Sequence, residues 1–238
     1  MDNNNKYNFV PDKNNKYTLM QKRMYAFGTS NHEVHNENDD YWKILLKDIE
    51  SNNSWKNKKA LDFACGKGRN VSNILTTSKW KRVDGVDIST GNIKYCKDNY
   101  KGQNSEWYVN NGVDLEDLST NEYHFVLSTI ALQHIPVYEI RTNLLKEILR
   151  VMAPGGIFSF QMAYGPVPKK GKNPAHYYDN AYDAPKTNSE WDVRIDNEQT
   201  VIKDLKEIGF INVTTQVRDS YSDDQHPQWI YIRCEKEL

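Results

Sequence analysis

Cysteine is scarce in this chain. Three occur among 238 residues, at 65, 96 and 234, odd in number, far apart and without CxxC spacing. That pattern excludes a disulfide framework and offers no zinc-ligand set, so a reducing, cytoplasmic setting is expected. Long apolar runs are missing as well. None approaches the roughly 18 residues of a membrane-spanning helix, and Met1-Asp2-Asn3-Asn4-Asn5-Lys6 lacks the apolar centre of a secretion signal. Excess charge of one sign is also absent: 31 Lys and Arg against 32 Asp and Glu leave a formal net charge of −1. No overall field draws the chain to nucleic acid or to an anionic membrane, and neither is an expected partner. His32 and His35 sit in His-Glu-Val-His and lack the HExxH spacing of a helical zinc site, so no metal is expected.

What is present is alternation. Residues 1 to about 35 are polar, a tail followed by a short ordered arm from Tyr17 to Phe27. From Asp39 a helical pattern brings Tyr41, Trp42, Ile44, Leu45, Leu46 and Ile49 to one face, until Ser51-Asn52-Asn53-Ser54 breaks it. Strands and helices then follow one another. Ala60–Ala64 reads as a strand, with a helix from near Arg69, and Val83–Val86 as a strand ending at Asp87, with a helix capped by Ser89. Trp107–Val109 and Phe125–Ser128 read as further strands, Ile140–Met152 as a helix stopped by Ala153-Pro154-Gly155-Gly156, and Ile157–Met162 as the fifth strand. Asn197 caps a helix closed by Gly209, after which Phe210–Val217 and Trp229–Cys234 lie too close in sequence for a parallel crossover. The fold class that follows is α/β: a Rossmann-like, doubly wound, mostly parallel seven-stranded sheet with an antiparallel last strand.

Two glycines, Gly66 and Gly68, separate the first strand from its helix. Glycine there lets backbone approach a ligand without a Cβ in the way, at the end of an open sheet where ligands bind. Asp87 ends the next strand about 20 residues onward, where a carboxylate takes both ribose hydroxyls. A dinucleotide loop calls for a third glycine three residues after Gly68, and Val71 stands there.

Leu61-Asp62-Phe63-Ala64-Cys65-Gly66-Lys67-Gly68-Arg69-Asn70 resembles the cofactor loop of class I S-adenosylmethionine-dependent methyltransferases. Asp62 matches that family's acidic residue, Gly66 and Gly68 two of its glycines, and Ala64 replaces the most common first glycine. Val83-Asp84-Gly85-Val86-Asp87-Ile88-Ser89 is similar to the second motif, which implies Asp87 as ribose ligand and Ile88 beside the adenine. Asn110-Asn111-Gly112-Val113-Asp114-Leu115 resembles the segment that reads the adenine edge, with Asn111 where Asp is usual. Phe125-Val126-Leu127-Ser128 and the following turn resemble the fourth strand, Leu149–Gly156 the helix end before strand five, and Ile208-Gly209-Phe210 the start of strand six. The likeness covers roughly residues 38 to 238. It implies S-adenosylmethionine as methyl donor and S-adenosylhomocysteine as product. The implied cofactor-binding residues are Asp62, Ala64, Cys65, Gly66, Gly68, Asp87, Ile88, Asn111, Gly112, Val113 and Ser128.

Acceptor chemistry is sought elsewhere. The methyl of the donor is already activated, so the protein chiefly aligns an acceptor atom, with a general base where the acceptor's pKa requires one. His134, just past strand four, is the candidate base; the plainer alternative is a histidine packing the turn before Pro136. Gln133 carries the same ambiguity. Residues 164–192 interrupt the alternation with several prolines and with Tyr164, Tyr177, Tyr178 and Tyr182. A loop this long is a lid over an acceptor or packs on its own domain. The run Lys169-Lys170-Gly171-Lys172 attracts an anion or is simply solvated. His32, His35 and, in the arm, Tyr25 are candidates for the cleft. The expected organisation is a tail and cleft-covering arm over 1–37, then a binding domain over 38–238.

Strand four is followed by Ser128-Thr129-Ile130-Ala131, not by the Asp/Asn-Pro-Pro-aromatic run of enzymes that methylate exocyclic amines of DNA, nor by a Pro-Cys nucleophile. A small-molecule acceptor, methylated on N or O, is the expectation, with a protein acceptor held in a groove of the lid as the alternative. A cofactor-binding module without transfer activity and an NAD-dependent oxidoreductase are the rival readings, the second opposed by Val71.

Overall fold

The computed structural model describes residues 9–28, 41–47, 49, 55–166, 175–184, 192–220 and 226–238. His32, His35 and the Lys169–Lys172 run lie outside these residues.

Five strands run parallel at the heart of the fold. They are β1 (Lys59–Phe63), β2 (Arg82–Asp87), β3 (Trp107–Val109), β4 (Tyr123–Ser128) and β5 (Met152–Tyr164). The residues of β1, β2 and β4 are buried almost without interruption, as strands covered on both faces must be. The sheet runs β3-β2-β1-β4-β5-β8-β7, where β7 is Ile211–Asp219 and β8 is Gln228–Glu235. Strand β8 lies antiparallel between β5 and β7, as the short sequence separation of the last two strands requires.

The eighth strand is new. Two residues, β6 (Arg194–Ile195), pair in parallel with Ala163 and Tyr164. Strand β5 also extends beyond Ile157–Met162 at both ends, because β8 pairs with it from Ile157 to Tyr164 and Met152 pairs with Tyr123. A two-residue strand carries no period, which is why β6 is silent in the sequence.

Helices cover both faces: α1 (Lys16–Met24), α2 (Tyr41–Leu45), α3 (Arg69–Thr77), α4 (Thr90–Asn99), α5 (Tyr138–Val151) and α6 (Glu198–Ile208). The apolar run from Ile44 to Ile49 sustains only the short α2, although Leu45, Leu46 and Ile49 are buried. Ser89 caps α4 by accepting from the Asn92 N–H, and Asn197 caps α6 from Gln199. Alternate residues feed two cores. Leu61, Val126 and Phe158 pack with α5 and α6, while Ala60, Phe125 and Leu127 pack with Val71, Ile74, Trp55 and Trp80. Strand order reverses at β1, between β2 and β4, so a crevice opens at the carboxyl ends of β1 and β4.

Candidate active site

A cavity of about 280 Å³ occupies that crevice. Its floor is built from strand ends and the turns that follow them: Phe63, Ala64 and Gly66 after β1, Asp87 and Ile88 after β2, Asn110 and Gly112 after β3. Ile130, Ala131, His134 and Ile135 close it from the β4 side, with Leu144 of α5. The arm covers it with Tyr17, Thr18, Gln21 and Tyr25.

The two loop glycines serve different ends. A Cβ on Gly66 (φ +53°) would meet no atom within 4 Å, so its place beside the cavity is open. On Gly68 (φ +83°) a Cβ would strike Trp107 at 2.6 Å and Tyr100 at 2.8 Å. Gly68 therefore lets α3 start against the stacked Tyr100 and Trp107 rings and does not line the cavity. Ala64 takes a left-handed conformation, φ +60°, that glycine would adopt without strain. Ile130, β-branched, stands at φ +50° on the cavity wall, a second site of stored backbone strain.

Asp87 is the organising charge. Its Oδ2 accepts the Gly66 N–H at 2.8 Å and its Oδ1 the Ser89 N–H at 2.8 Å. Burial raises its pKa, and these N–H donors draw it back. Asp62 lies beneath the loop, fully buried, and neither of its oxygens has a hydrogen-bond partner among the described residues. Burial pushes its carboxyl up to about 8, with Asn70 and Arg69 offsetting only part of that.

Several residues expected at the site are placed elsewhere. Asn111 spends its side-chain oxygen on the Val113 and Asp114 N–H groups, both at 2.9 Å, and it does not line the cavity. Its neighbour Asn110 does, with Oδ1 accepting from Gly112 at 2.9 Å. Val113 and Ser128 are core residues, and Cys65 packs under the loop with its Sγ toward the Gly66 carbonyl.

The insertion tyrosines also stand apart from the cavity. Tyr177 is buried against α5 and α6, where its hydroxyl and that of Tyr138 both donate to Asp204. Arg141, fully buried, stacks 4.8 Å over the Tyr177 ring and donates to the Tyr177 and Ile135 carbonyls. Tyr178 meets Tyr138 edge-on at 5.1 Å, and Tyr182 donates to Glu139 at 2.9 Å. Tyr164 is held in the sheet, opposite Ile195 and Gln228. In each case an aromatic ring gains more from a neighbouring helix or strand than from an open crevice.

On the β4 side, His134 lines the cavity and its Nδ1 stands 2.6 Å from Asp192 Oδ1. Gln133 is fully buried and lies off the cavity, its carboxamide without a hydrogen-bond partner among the described residues. Tyr17, absent from the sequence-derived set, donates from its hydroxyl to the His134 carbonyl at 2.8 Å. Only the cap Asn15, which accepts from Thr18, marks that helix in the sequence, and nothing in it shows where the helix docks.

Residues 61–160 match the family described as a methyltransferase domain. Over this stretch the chain is similar to methyltransferase domains, and it shares the fold of S-adenosylmethionine-dependent methyltransferases. Solved structures with the same fold include phosphoethanolamine N-methyltransferase 2 of Haemonchus contortus with phosphomonomethylethanolamine and S-adenosylhomocysteine. It has a TM-score of 0.63 at 15% identity, over 93% of this chain and 57% of that one. This chain thus spans little more than half the length of that enzyme. The [4+2]-cyclase SpnF matches with a TM-score of 0.63 at 13% identity, over 94% of this chain and 93% of that one. A methyltransferase from Methanosarcina mazei matches at 0.55 and 17%, over 77% and 94%. No curated protein matches the sequence. A cyclase shares the fold, so the reaction follows from the chemistry of the cavity and not from the fold.

Proposed function

We propose that this chain binds S-adenosylmethionine in the crevice and transfers its methyl group to an N or O atom of a small molecule, releasing S-adenosylhomocysteine. The observation that carries the reading is one cavity bounded by Asp87 and the open Gly66 position on one side and by His134 on the other. The donor supplies an activated sulfonium methyl. Asp87 would take the ribose hydroxyls, Gly66 would admit the amino-acid end past bare backbone, and Ile88 with Gly112 would flank the adenine.

His134 is the general base in this reading, accepting the proton that the acceptor atom loses. Tyr25 and Tyr17 from the arm and Ile130, Ile135 and Leu144 from the domain would enclose the acceptor and exclude water, with the arm acting as the lid. A pocket of mixed apolar wall and few polar groups suits a small molecule. Among the described residues no helix is long and apolar enough to cross a membrane, and Cys65, Cys96 and Cys234 are buried free thiols suited to the cytoplasm.

Calorimetry with S-adenosylmethionine, S-adenosylhomocysteine and NAD tests the donor; tight binding of NAD alone overturns the reading. A mass-spectrometric screen of small amines, phenols and carboxylates for a gain of one methyl tests the transfer. Cofactor binding with no product from any acceptor class favours a non-catalytic module.

A further inference from the structure

His134 is 40% exposed, while the carboxylate behind it, Asp192, is 2% exposed. The second oxygen of that carboxylate is also taken: Asp192 Oδ2 stands 3.1 Å from His226 Nε2. His226 is itself buried, edge-on to Trp229 at 5.1 Å. One buried carboxylate therefore bridges two imidazoles, and it cannot turn toward either without losing the other. A backbone bond beside it fixes the register, with the Val193 N–H donating to the Gln133 carbonyl at 2.7 Å. The three residues come from separate parts of the chain: the turn after β4, the segment before β6 and the segment before β8.

The electrostatics agree with the geometry. Burial alone would raise the Asp192 carboxyl, but the bonds and charges of His134 and His226 outweigh it and hold the group at about 2. An ionised carboxylate only accepts, so each histidine nitrogen facing it carries hydrogen. His134 then holds hydrogen on Nδ1, and its neutral ring keeps a lone pair on Nε2, the nitrogen left for a molecule in the cavity. The arrangement is not a metal site. The two imidazoles bond opposite oxygens of one carboxylate, and no His/Cys/Asp/Glu group among the described residues is arranged to hold an ion.

We propose that Asp192 and His226 are positioning residues that lock His134 in the Nδ1–H tautomer with Nε2 facing the acceptor. This rests on the reading of His134 as base. In the transfer, the acceptor's N–H or O–H bond breaks and its proton passes to Nε2. The imidazolium so formed is stabilised beside Asp192, and the proton leaves to water when product departs.

The test is long-range proton–nitrogen correlation on protein labelled with nitrogen-15 in histidine, at about pH 8.5, well above the ordinary histidine pKa of about 6.5. His134→Gln assigns the signals. The expected wild-type ring carries hydrogen on Nδ1 with a bare Nε2, and Asp192→Ala loses that pattern in favour of Nε2–H. Asp192→Glu restores it in part. Should Asp192→Ala fail to fold, Asp192→Asn serves: its carboxamide offers one acceptor and one donor to two imidazoles, and His134 is expected to change tautomer. A wild-type His134 already bearing hydrogen on Nε2, or a His134 pattern unmoved in the Asp192 variants, overturns the proposal. The readout needs no acceptor. Full methyl transfer by His134→Ala, with the Nδ1–H pattern present in wild type, would sink the base reading and not the tautomer lock.

Discussion

Asp87 Oδ2 accepts the Gly66 N–H at 2.8 Å, so the carboxylate that ends β2 holds the loop that ends β1. With Oδ1 on the Ser89 N–H, the group is oriented before any ligand arrives. Charge-assisted bonds of this kind are worth about 1.5–3 kcal/mol each. Asp87→Ala is expected to weaken S-adenosylmethionine binding by at least about 2 kcal/mol, a factor of about 30, in a calorimetric titration. Unchanged affinity would move the donor site elsewhere.

Ala64 carries the strain that a glycine would release. A left-handed residue with a Cβ costs about 1–2 kcal/mol, and part of that gain is returned because glycine frees the unfolded chain. Ala64→Gly is expected to stabilise the fold by about 0.5 kcal/mol in urea denaturation. A loss of stability would show that the methyl group packs usefully against its surroundings.

Gly91 seats the arm. A Cβ there would lie 2.4 Å from the Gly28 nitrogen and 2.4 Å from the Phe27 carbonyl carbon, contacts that backbone cannot absorb cheaply. Nearby, the Ser89 hydroxyl donates to the Tyr25 carbonyl and that of Thr90 to Ala26. Helix propensity alone favours alanine over glycine by about 0.8–1 kcal/mol, but the contact should win. Gly91→Ala is expected to speed amide exchange across residues 17–28 while leaving β1, β2 and β4 protected. Unaltered exchange in the arm would mean that it is held from elsewhere.

Tyr177→Phe probes whether the insertion tyrosines serve the fold or the acceptor. The change removes a donor from buried Asp204, at a cost of about 1–3 kcal/mol in stability. Cofactor affinity is expected to stay as in wild type. A drop in acceptor affinity at unchanged stability would return Tyr177 to the site.

Asp62 gives the fold a pH dependence of definite sign. Its folded pKa of about 8 lies above its ordinary 3.8. Between those values the folded state keeps a proton that the unfolded state has released, so this group's contribution falls as pH rises and levels off above about 8. The slope approaches about 1.4 kcal/mol per pH unit for one proton. Urea denaturation at about pH 5 and pH 7 should show a shallower fall for Asp62→Asn than for wild type; parallel slopes would mean that Asp62 titrates normally.

The local pattern of residues decided the elements and their chemistry. Buried parallel strands need unbroken apolar runs, helices need caps such as Ser89 and Asn197, and a cofactor loop needs its glycines between a strand and a helix. The crevice of Ala64, Gly66, Asp87, Ile88 and Gly112 was legible because these residues close successive strands of one parallel sheet, where topology alone brings them together. Tertiary structure decided everything that depends on contacts between distant segments. It sent Gly68 to a packing task and replaced Asn111 with Asn110, because one turn of backbone chooses which side chain faces the cavity. It bound Tyr177 and Tyr182 to helices, and it set Asp192 and His226 behind His134. Those choices follow from what lies across the fold, which no stretch of local sequence contains.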